Sequence, residues 1–133
     1  MDYQKILDAF YDEYFRCPTS SEMDDITDGG LRKIKYDYGN YGLFLNKHGY
    51  EAEKKSVTYV AYNEKGEFVY GGIAQDLADE FDVTAAVIRM KGNVNGWIHQ
   101  GTYQIKRKDF FLSDFIKKLD ISEASELDDH INH

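Results

Sequence analysis

The sequence predicts an α+β fold that is mainly helical, in which a small helical module precedes a winged-helix-like module. Residues 1–53 carry apolar side chains at helical spacing, interrupted by turn signals. Residues 56–70 are rich in β-branched and aromatic side chains around the turn sequence NEKGE, as in a β-hairpin. Two short helical stretches and a last strand follow. The predicted order of the second module is therefore hairpin, helix-turn-helix and closing strand.

The first module is predicted to contain three or four short helices. The first spans about residues 2–16 and ends before Pro18, because proline pushes the preceding residue out of the helical region. Thr19 and Glu22 have the spacing of a capping box that opens the second helix. Gly39 ends a third helix and Asn40 caps a fourth. The predicted apolar positions of the first three helices are Leu7, Phe10, Tyr11, Tyr14, Leu31, Ile34 and Tyr38, and in the fourth helix Leu43, Phe44 and Lys47 alternate between faces.

The second module is predicted to span residues 54–109. Thr84 has the position of an N-cap for the second helix of its helix-turn-helix. Asn93 and Gly96 indicate a loop, and residues 103–106 form the last strand. Residues 110–133 are expected to form a brief helix capped by Ser113 and a mobile acidic tail. The apolar faces of the two helices are predicted to be Ile73, Leu77, Ala78 and Phe81 in the first and Val87, Ile88 and Met90 in the second.

Composition supports small aromatic cores and an unevenly distributed charge. The chain has 133 residues, 42% of them hydrophobic, with 11 Tyr and 8 Phe. The net charge is −8, and residues 111–133 contribute half of it with six acids and two bases. Both modules are therefore close to neutral. This weakens the objection to a nucleic-acid partner, because affinity for phosphate depends on local basic surface as well as on total charge.

The single cysteine, Cys17, excludes an intrachain disulfide, and we expect it to be a small core residue and not a nucleophile. The sequence carries no apolar signal at its start and no run of about 18 apolar residues. These features predict a cytoplasmic protein with no membrane partner.

Residues 3–52 resemble the DNA-binding repeat associated with homing endonucleases. The resemblance is carried by Pro18-Thr19, by the aromatic-Gly-polar-aromatic signature Tyr38-Gly39-Asn40-Tyr41, and by Leu43, Leu45 and Gly49-Tyr50. Family members often place basic residues before this signature, as Arg32, Lys33 and Lys35 are placed here. The resemblance implies a DNA-binding module.

Residues 56–108 resemble a modular helix-turn-helix domain of homing nucleases and of small phage proteins. The matching residues are Gly72, Ala74, Leu77-Ala78, Val83-Thr84, Val87-Ile88 and the closing Gly101-Thr102-Tyr103-Gln104-Ile105. Ile73 stands where members usually have threonine. Together the two resemblances imply a phage or mobile-element setting, with the Thr84–Lys91 helix at the major groove of DNA.

Our first hypothesis is a non-catalytic DNA-binding accessory or regulatory protein. Lysine and arginine neutralise phosphates, although a basic cluster also occurs as a solvated face with internal ion pairs. The Gly- and Asn-rich loop around Trp97 and His99 offers a wing that enters a minor groove or stacks on a base, or else Trp97 fills a small core. The candidate double-stranded DNA contacts are Arg32, Lys33, Lys35, Thr84, Arg89, Lys91, Lys106, Arg107 and Lys108.

The alternative is an acidic phage-encoded inhibitor, of the anti-CRISPR or anti-restriction type, that binds a basic host nuclease through a helix-turn-helix scaffold. Complementary charge would speed and orient such an encounter, whereas the simpler interpretation of the acids is solubility. The candidate partner-binding residues are Asp76, Asp79, Glu80, Asp82 and Trp97.

No catalytic group and no cofactor is expected. The sequence has no Gly-rich phosphate loop and no Ser-His-Asp arrangement, and none of its four histidines belongs to a defined nuclease motif. The terminal Asp128, Asp129, His130 and His133 have the side chains of a Zn²⁺ site, but a terminal tail rarely preorganises one. The sequence therefore predicts neither an enzyme nor a metal site.

Overall fold

The computed structural model describes residues 2–52 and 57–119, and it has the predicted α+β fold. The chain divides into two compact units. Residues 2–13, 17–52 and 110–119 form a helical unit, whereas residues 14–16 and 57–109 form a sheet unit. In chain order the elements are α1 (Tyr3–Tyr14), α2 (Ser20–Ile26), α3 (Leu31–Tyr38), α4 (Tyr41–Lys47), β1 (Thr58–Tyr62), β2 (Phe68–Ile73), α5 (Ala74–Phe81), α6 (Ala85–Asn93), β3 (Trp97–Ile98), β4 (Tyr103–Lys108) and α7 (112–119).

The helices of the helical unit are set by local capping, and the predicted caps are confirmed. The Thr19 hydroxyl accepts from the Glu22 amide at 3.1 Å, and the Glu22 carboxylate accepts from the Thr19 amide at 2.9 Å. Asn40 accepts from the Leu43 amide at 2.8 Å at the start of α4. Gly39 ends α3 with φ at 96°, a conformation that glycine adopts without steric cost.

The core of the helical unit is an aromatic cluster centred on Phe44, which is fully buried. The ring centroids of Tyr3, Tyr38 and Tyr41 lie 5.3, 5.1 and 5.6 Å from that of Phe44. The prediction that Tyr11 lies on the apolar face of α1 is wrong, since Tyr11 is exposed. In α4, where Leu43 and Phe44 are predicted to lie on different faces, Leu43 is exposed and Phe44 is buried. Leu7 and Phe10 fill the α1 face instead, and Phe44 and Leu45 fill that of α4.

Helix α7 belongs to the helical unit, contrary to the prediction that groups it with the acidic tail. The rings of Phe110 and Phe115 both lie 5.4 Å from that of Phe10. Phe115 is buried, and its amide bonds to the Phe111 carbonyl at 3.1 Å. Ser113 therefore lies inside the helix and does not cap it. The predicted mobile tail and the terminal His-Asp cluster fall beyond residue 119, outside the described residues.

The sheet unit is an antiparallel sheet with strand order β2-β1-β4-β3. Its inner face packs against α5 and α6 through one apolar core. Because side chains alternate between the faces of a strand, Ala61 and its partner Ile105 lie on this inner face, whereas Val60 and its partner Lys106 lie on the opposite, outer face. The buried core residues are Tyr59, Ala61, Ala74, Leu77, Ala78, Phe81, Ile88, Ile98 and Ile105.

Two residues that were predicted to belong to the helical apolar faces are exposed. Ile73 is the last residue of β2, where it pairs with Thr58 and so lies on the outer face of the sheet. The chain enters α5 without a loop, and Asp76 accepts from the Ile73 amide at 3.2 Å, so the carboxylate caps the helix where Ile73 lacks a hydroxyl. Met90 is 57% exposed because the core stripe of α6 is Ile88 and Gly92.

Gly92 allows α6 to approach the sheet. It is buried, and a Cβ atom at this position would overlap the ring of Tyr59 on β1. Tyr59 is itself buried in the core and cannot move aside freely. The close packing of helix and sheet therefore requires a residue without a side chain here.

Replacing Gly92 with alanine should lower the free energy of unfolding by about 1–3 kcal/mol, as overpacking does in other cores. Helix propensity alone predicts the opposite sign, since alanine favours a helix interior by about 1 kcal/mol over glycine. Thermal or urea denaturation followed by circular dichroism measures the change. Met90→Ala, on the exposed side of the same helix, is the matched control and should be nearly neutral. A more stable Gly92→Ala protein would contradict this packing.

Candidate nucleic-acid interfaces

Helix α3 presents the most cationic exposed surface of the helical unit. Arg32, Lys33 and Lys35 are all exposed, and Tyr36 between them is 89% exposed. Only Ile34 anchors the helix by full burial. We call Arg32, Lys33, Lys35 and Tyr36 the α3 surface. An aromatic ring held almost entirely in water beside three cations has the composition of a nucleic-acid contact.

The turn before α3 is fixed by hydrogen bonds, so the helix is held on α2. The Thr27 hydroxyl donates to the Met23 carbonyl at 2.7 Å and accepts from the Gly30 amide at 3.0 Å. The Asp24 carboxylate accepts from the Leu31 amide at 3.1 Å. The Asp24 side chain in α2 thus forms a hydrogen bond to the first residue of α3. Helices α2 and α3 are therefore joined by a short, hydrogen-bonded turn.

The charges on the α3 surface are largely available to a ligand. Lys33 lies 3.8 Å from Asp37 one turn later, in an exposed pair of the kind that contributes little to stability. Among residues 2–52 and 57–119, Arg32 and Lys35 have no ion-pair partner. With three bases and one acid, α3 carries a formal charge of +2. The predicted contacts Arg32, Lys33 and Lys35 therefore lie together on one exposed helix.

Helix α6, the predicted recognition helix, has a weaker surface. Thr84 caps it as predicted, with its hydroxyl accepting from the Val87 amide at 3.3 Å. Arg89 is exposed, but Lys91 is half-buried, and its stem lies against Gly96. The remaining exposed positions of the helix include Ala86, Met90 and Asn93. Helix α6 therefore offers Arg89 as its one exposed cation, which is few for binding DNA phosphates.

Helix α5 carries an acidic row that lies next to α6 in the same helix pair. Asp76, Asp79, Glu80 and Asp82 are all exposed. Asp79 accepts from Gln75 at 2.8 Å, and Asp82 ends the helix in the left-handed conformation with φ at 55°. These four acids, which we call the acidic row, would repel phosphate near α6 and attract a basic protein.

Two of the three basic residues of β4 lie on the opposite face of the sheet from α6. Lys106 and Lys108 point to the outer face of the sheet, opposite the helices, because they pair with Val60 and Thr58. The Lys106 ammonium lies 5.6 Å from the ring centroid of Tyr62. Arg107 is on the inner side and lies 2.7 Å from Asp109. The sheet therefore places Lys106 and Lys108 on the face opposite α6, whereas Arg107 lies on the face against which α6 packs.

Trp97 is neither a core residue nor part of a loop. It is 40% exposed and begins strand β3, where it pairs with Gln104. Its neighbour Ile98 takes the core position. The predicted loop residues His99 and Gln100 have φ of 51° and 58° and form the tight turn from β3 to β4. His99 Nε2 lies 2.6 Å from the Phe81 carbonyl, which fixes this turn on the end of α5.

Potential catalytic or metal-binding side chains are used in packing. Cys17 is buried, as predicted. The Tyr41 hydroxyl donates to the Pro18 carbonyl at 2.6 Å, and burial, with Cys17 and Glu22 nearby, raises its pKa. Within residues 2–52 and 57–119, no group of three His, Cys, Asp or Glu side chains is arranged to hold a metal ion. The same residues contain no helix that is long and apolar enough to cross a bilayer.

Comparison with known proteins found no protein-family model, no curated protein and no solved structure that matches this chain.

Proposed function

We propose that this protein is a non-catalytic DNA-binding accessory protein of a phage or mobile element, and that the α3 surface is its main contact with double-stranded DNA. The observation that carries the proposal is the exposure of three cations and Tyr36 on one short helix. Cations that converge on a helix surface neutralise several phosphates at once, and the release of their counterions drives binding. The resemblance of residues 3–52 to a DNA-binding repeat supports the same surface.

The α3 surface is favoured over α6 for two physical reasons. It offers three exposed cations, whereas α6 offers Arg89 and a half-buried Lys91. The Asp24 carboxylate next to α3 is engaged with the Leu31 amide, and Asp37 is near Lys33. In α5, by contrast, the whole acidic row is exposed beside α6. On this proposal α6 and its acidic neighbour are scaffold, or serve a different partner.

Fluorescence anisotropy with labelled random-sequence duplex DNA, measured over a salt series, tests the proposal. Phosphate contacts predict submicromolar binding at low salt, with log K falling linearly as log salt rises. The slope reports the number of contacts, at about 0.9 for each phosphate neutralised. Absence of binding even at low ionic strength would refute the DNA-binding function.

The acidic row favours a second candidate, an inhibitor that binds a basic nuclease. Its four exposed acids lie on one short stretch and present negative charge to solvent. Replacing Asp79 and Glu80 with lysine should then abolish salt-sensitive inhibition of that nuclease, because the encounter would become repulsive. Replacing Glu64 and Glu67 of the hairpin with lysine is the charge-matched control. Unchanged inhibition in the Asp79 and Glu80 variant would exclude the acidic row.

A further inference from the structure

The outer face of the sheet carries a row of side chains that crosses all four strands. Trp97 on β3 pairs with Gln104 on β4, Gln104 pairs with Tyr62 on β1, and Tyr62 pairs with Phe68 on β2. We call these four residues the aromatic row. Since neighbouring strands lie about 4.8 Å apart, Trp97 and Tyr62 are separated by about 10 Å. Tyr62 and Phe68 are on adjacent strands, so the three rings lie in one line across the sheet, with Gln104 between Trp97 and Tyr62.

The row is accessible to a ligand. Trp97 and Phe68 are exposed, and Tyr62 is half-buried. Phe15, which belongs to the same unit, covers a neighbouring part of the outer face. Its ring stacks on Phe68 at 5.9 Å with an interplanar angle of 11°, and it occupies the space above Gly71. This contact occupies one face of the Phe68 ring and leaves the Trp97 end of the row uncovered by Phe15.

The charge of this face is opposite to that of the protein. Lys106 lies two residues along β4 from Gln104, with its ammonium over the Tyr62 ring, and Lys108 follows on the same face. Of the residues in β1 to β4 whose side chains point outward, none is acidic. The acids next to the strand ends are Glu67, which precedes Phe68 in the hairpin turn, and Asp109, which follows Lys108 and pairs with Arg107 at 2.7 Å. Within a chain of net charge −8, this face is locally cationic.

We infer that the aromatic row is a binding surface for single-stranded DNA, which goes beyond the duplex contact proposed for α3 and does not depend on it. Unpaired bases stack on exposed aromatic rings, while nearby lysines neutralise the backbone. Aromatic rings and lysines are both present on this face of the sheet. Duplex DNA hides the faces of its bases, so a row of rings on a sheet suits a single strand. DNA is favoured over RNA because the Gln104 amide nitrogen already donates to the Asn95 carbonyl at 2.9 Å and so is not available to bind a 2′-hydroxyl.

Trp97 provides a direct test because it is the only tryptophan in the sequence. Titrating the protein with oligothymidylate, which forms no secondary structure, should quench its fluorescence at low salt. Trp97→Ala should weaken binding of labelled oligothymidylate about tenfold, and Trp97→Phe should retain most of it, since a ring contributes to stacking on any base. Lys106→Gln should reduce the log-log salt slope by about 0.7. Lys65→Gln in the hairpin turn is the matched control and should change nothing.

Two further arms make the result decisive. Glutamine at Arg32, Lys33 and Lys35 should leave oligothymidylate binding unchanged, so failure of this site can be separated from failure of the α3 surface. Circular dichroism of Trp97→Ala verifies that the fold persists. The inference is overturned if oligothymidylate causes no quenching at low salt, if Trp97→Ala binds as tightly as the parent, or if oligouridylate binds more tightly than oligothymidylate.

Discussion

Exchanging Arg32, Lys33 and Lys35 together for glutamine should reduce duplex-DNA affinity on the order of a hundredfold, because charge-assisted contacts to phosphate each contribute at least about 1 kcal/mol. The log-log salt slope should become shallower by about 3, or about 1 for each lost contact. Both quantities come from anisotropy titrations of the variant and the parent over the same salt range.

The fold should tolerate this change. All three side chains are exposed, glutamine is a good helix former, and the lost pair between Lys33 and Asp37 is an exposed one. The matched control exchanges the exposed Lys47, Lys65 and Lys117 for glutamine, which alters net charge equally. The control should bind DNA almost as well as the parent.

A comparison with α6 distinguishes the two candidate docking helices. Replacing Arg89 and Lys91 with alanine should change duplex affinity only slightly if α3 is the main contact. A large loss in this variant, together with an unaffected α3 variant, would restore α6 as the docking helix. A loss of equal size in the control with Lys47, Lys65 and Lys117 replaced would show that net charge, and not the α3 surface, governs binding.

Phe44→Ala should cost the helical unit about 3–5 kcal/mol, the usual range for removing a buried phenyl ring. Phe44 is fully buried among Tyr3, Tyr38 and Tyr41, and the His48 ring lies 4.7 Å from it. The four short helices have little stability of their own, so they depend on this shared cluster. A loss of this size is a large part of the 5–15 kcal/mol typical of a whole domain.

Urea denaturation followed by circular dichroism measures this effect. Leu43→Ala is the control, because it removes an apolar side chain from the neighbouring position of α4 that is 52% exposed. We expect the control to lose less than about 1 kcal/mol. Duplex binding of Phe44→Ala should weaken in proportion to the unfolded fraction, since α3 packs beside α4. A change below about 1 kcal/mol for Phe44→Ala would contradict the aromatic cluster as the core.

Features determined by short-range contacts were predictable from the sequence. Thr19, Asn40 and Thr84 each cap a helix through an amide three residues away, so residue type and spacing suffice. The hairpin around NEKGE is similarly local. The cationic cluster Arg32, Lys33 and Lys35 could also be identified. Three charged side chains within one turn of a helix that has few buried positions cannot all be buried in a core.

The remaining features depend on contacts between distant parts of the chain. Trp97 is exposed and Ile98 buried because β3 pairs with β4 in one register, and a shift by one residue would exchange them. Met90 is exposed because Gly92 brings the other side of α6 onto Tyr59. Helix α7 joins the helical unit through the contact between Phe10 and Phe115, which are far apart in sequence.

The amino-acid sequence by itself determined where most helices begin, the mainly helical α+β class and the position of the strongest basic cluster. Only the tertiary structure decided which residues share a surface. It separated Lys106 and Lys108 from α6 by placing them on opposite faces of the sheet, and it aligned Trp97, Gln104 and Tyr62 in one row. The physical reason is that capping is a local hydrogen bond, whereas the face on which a strand residue lies depends on long-range pairing and on which face of the sheet is buried.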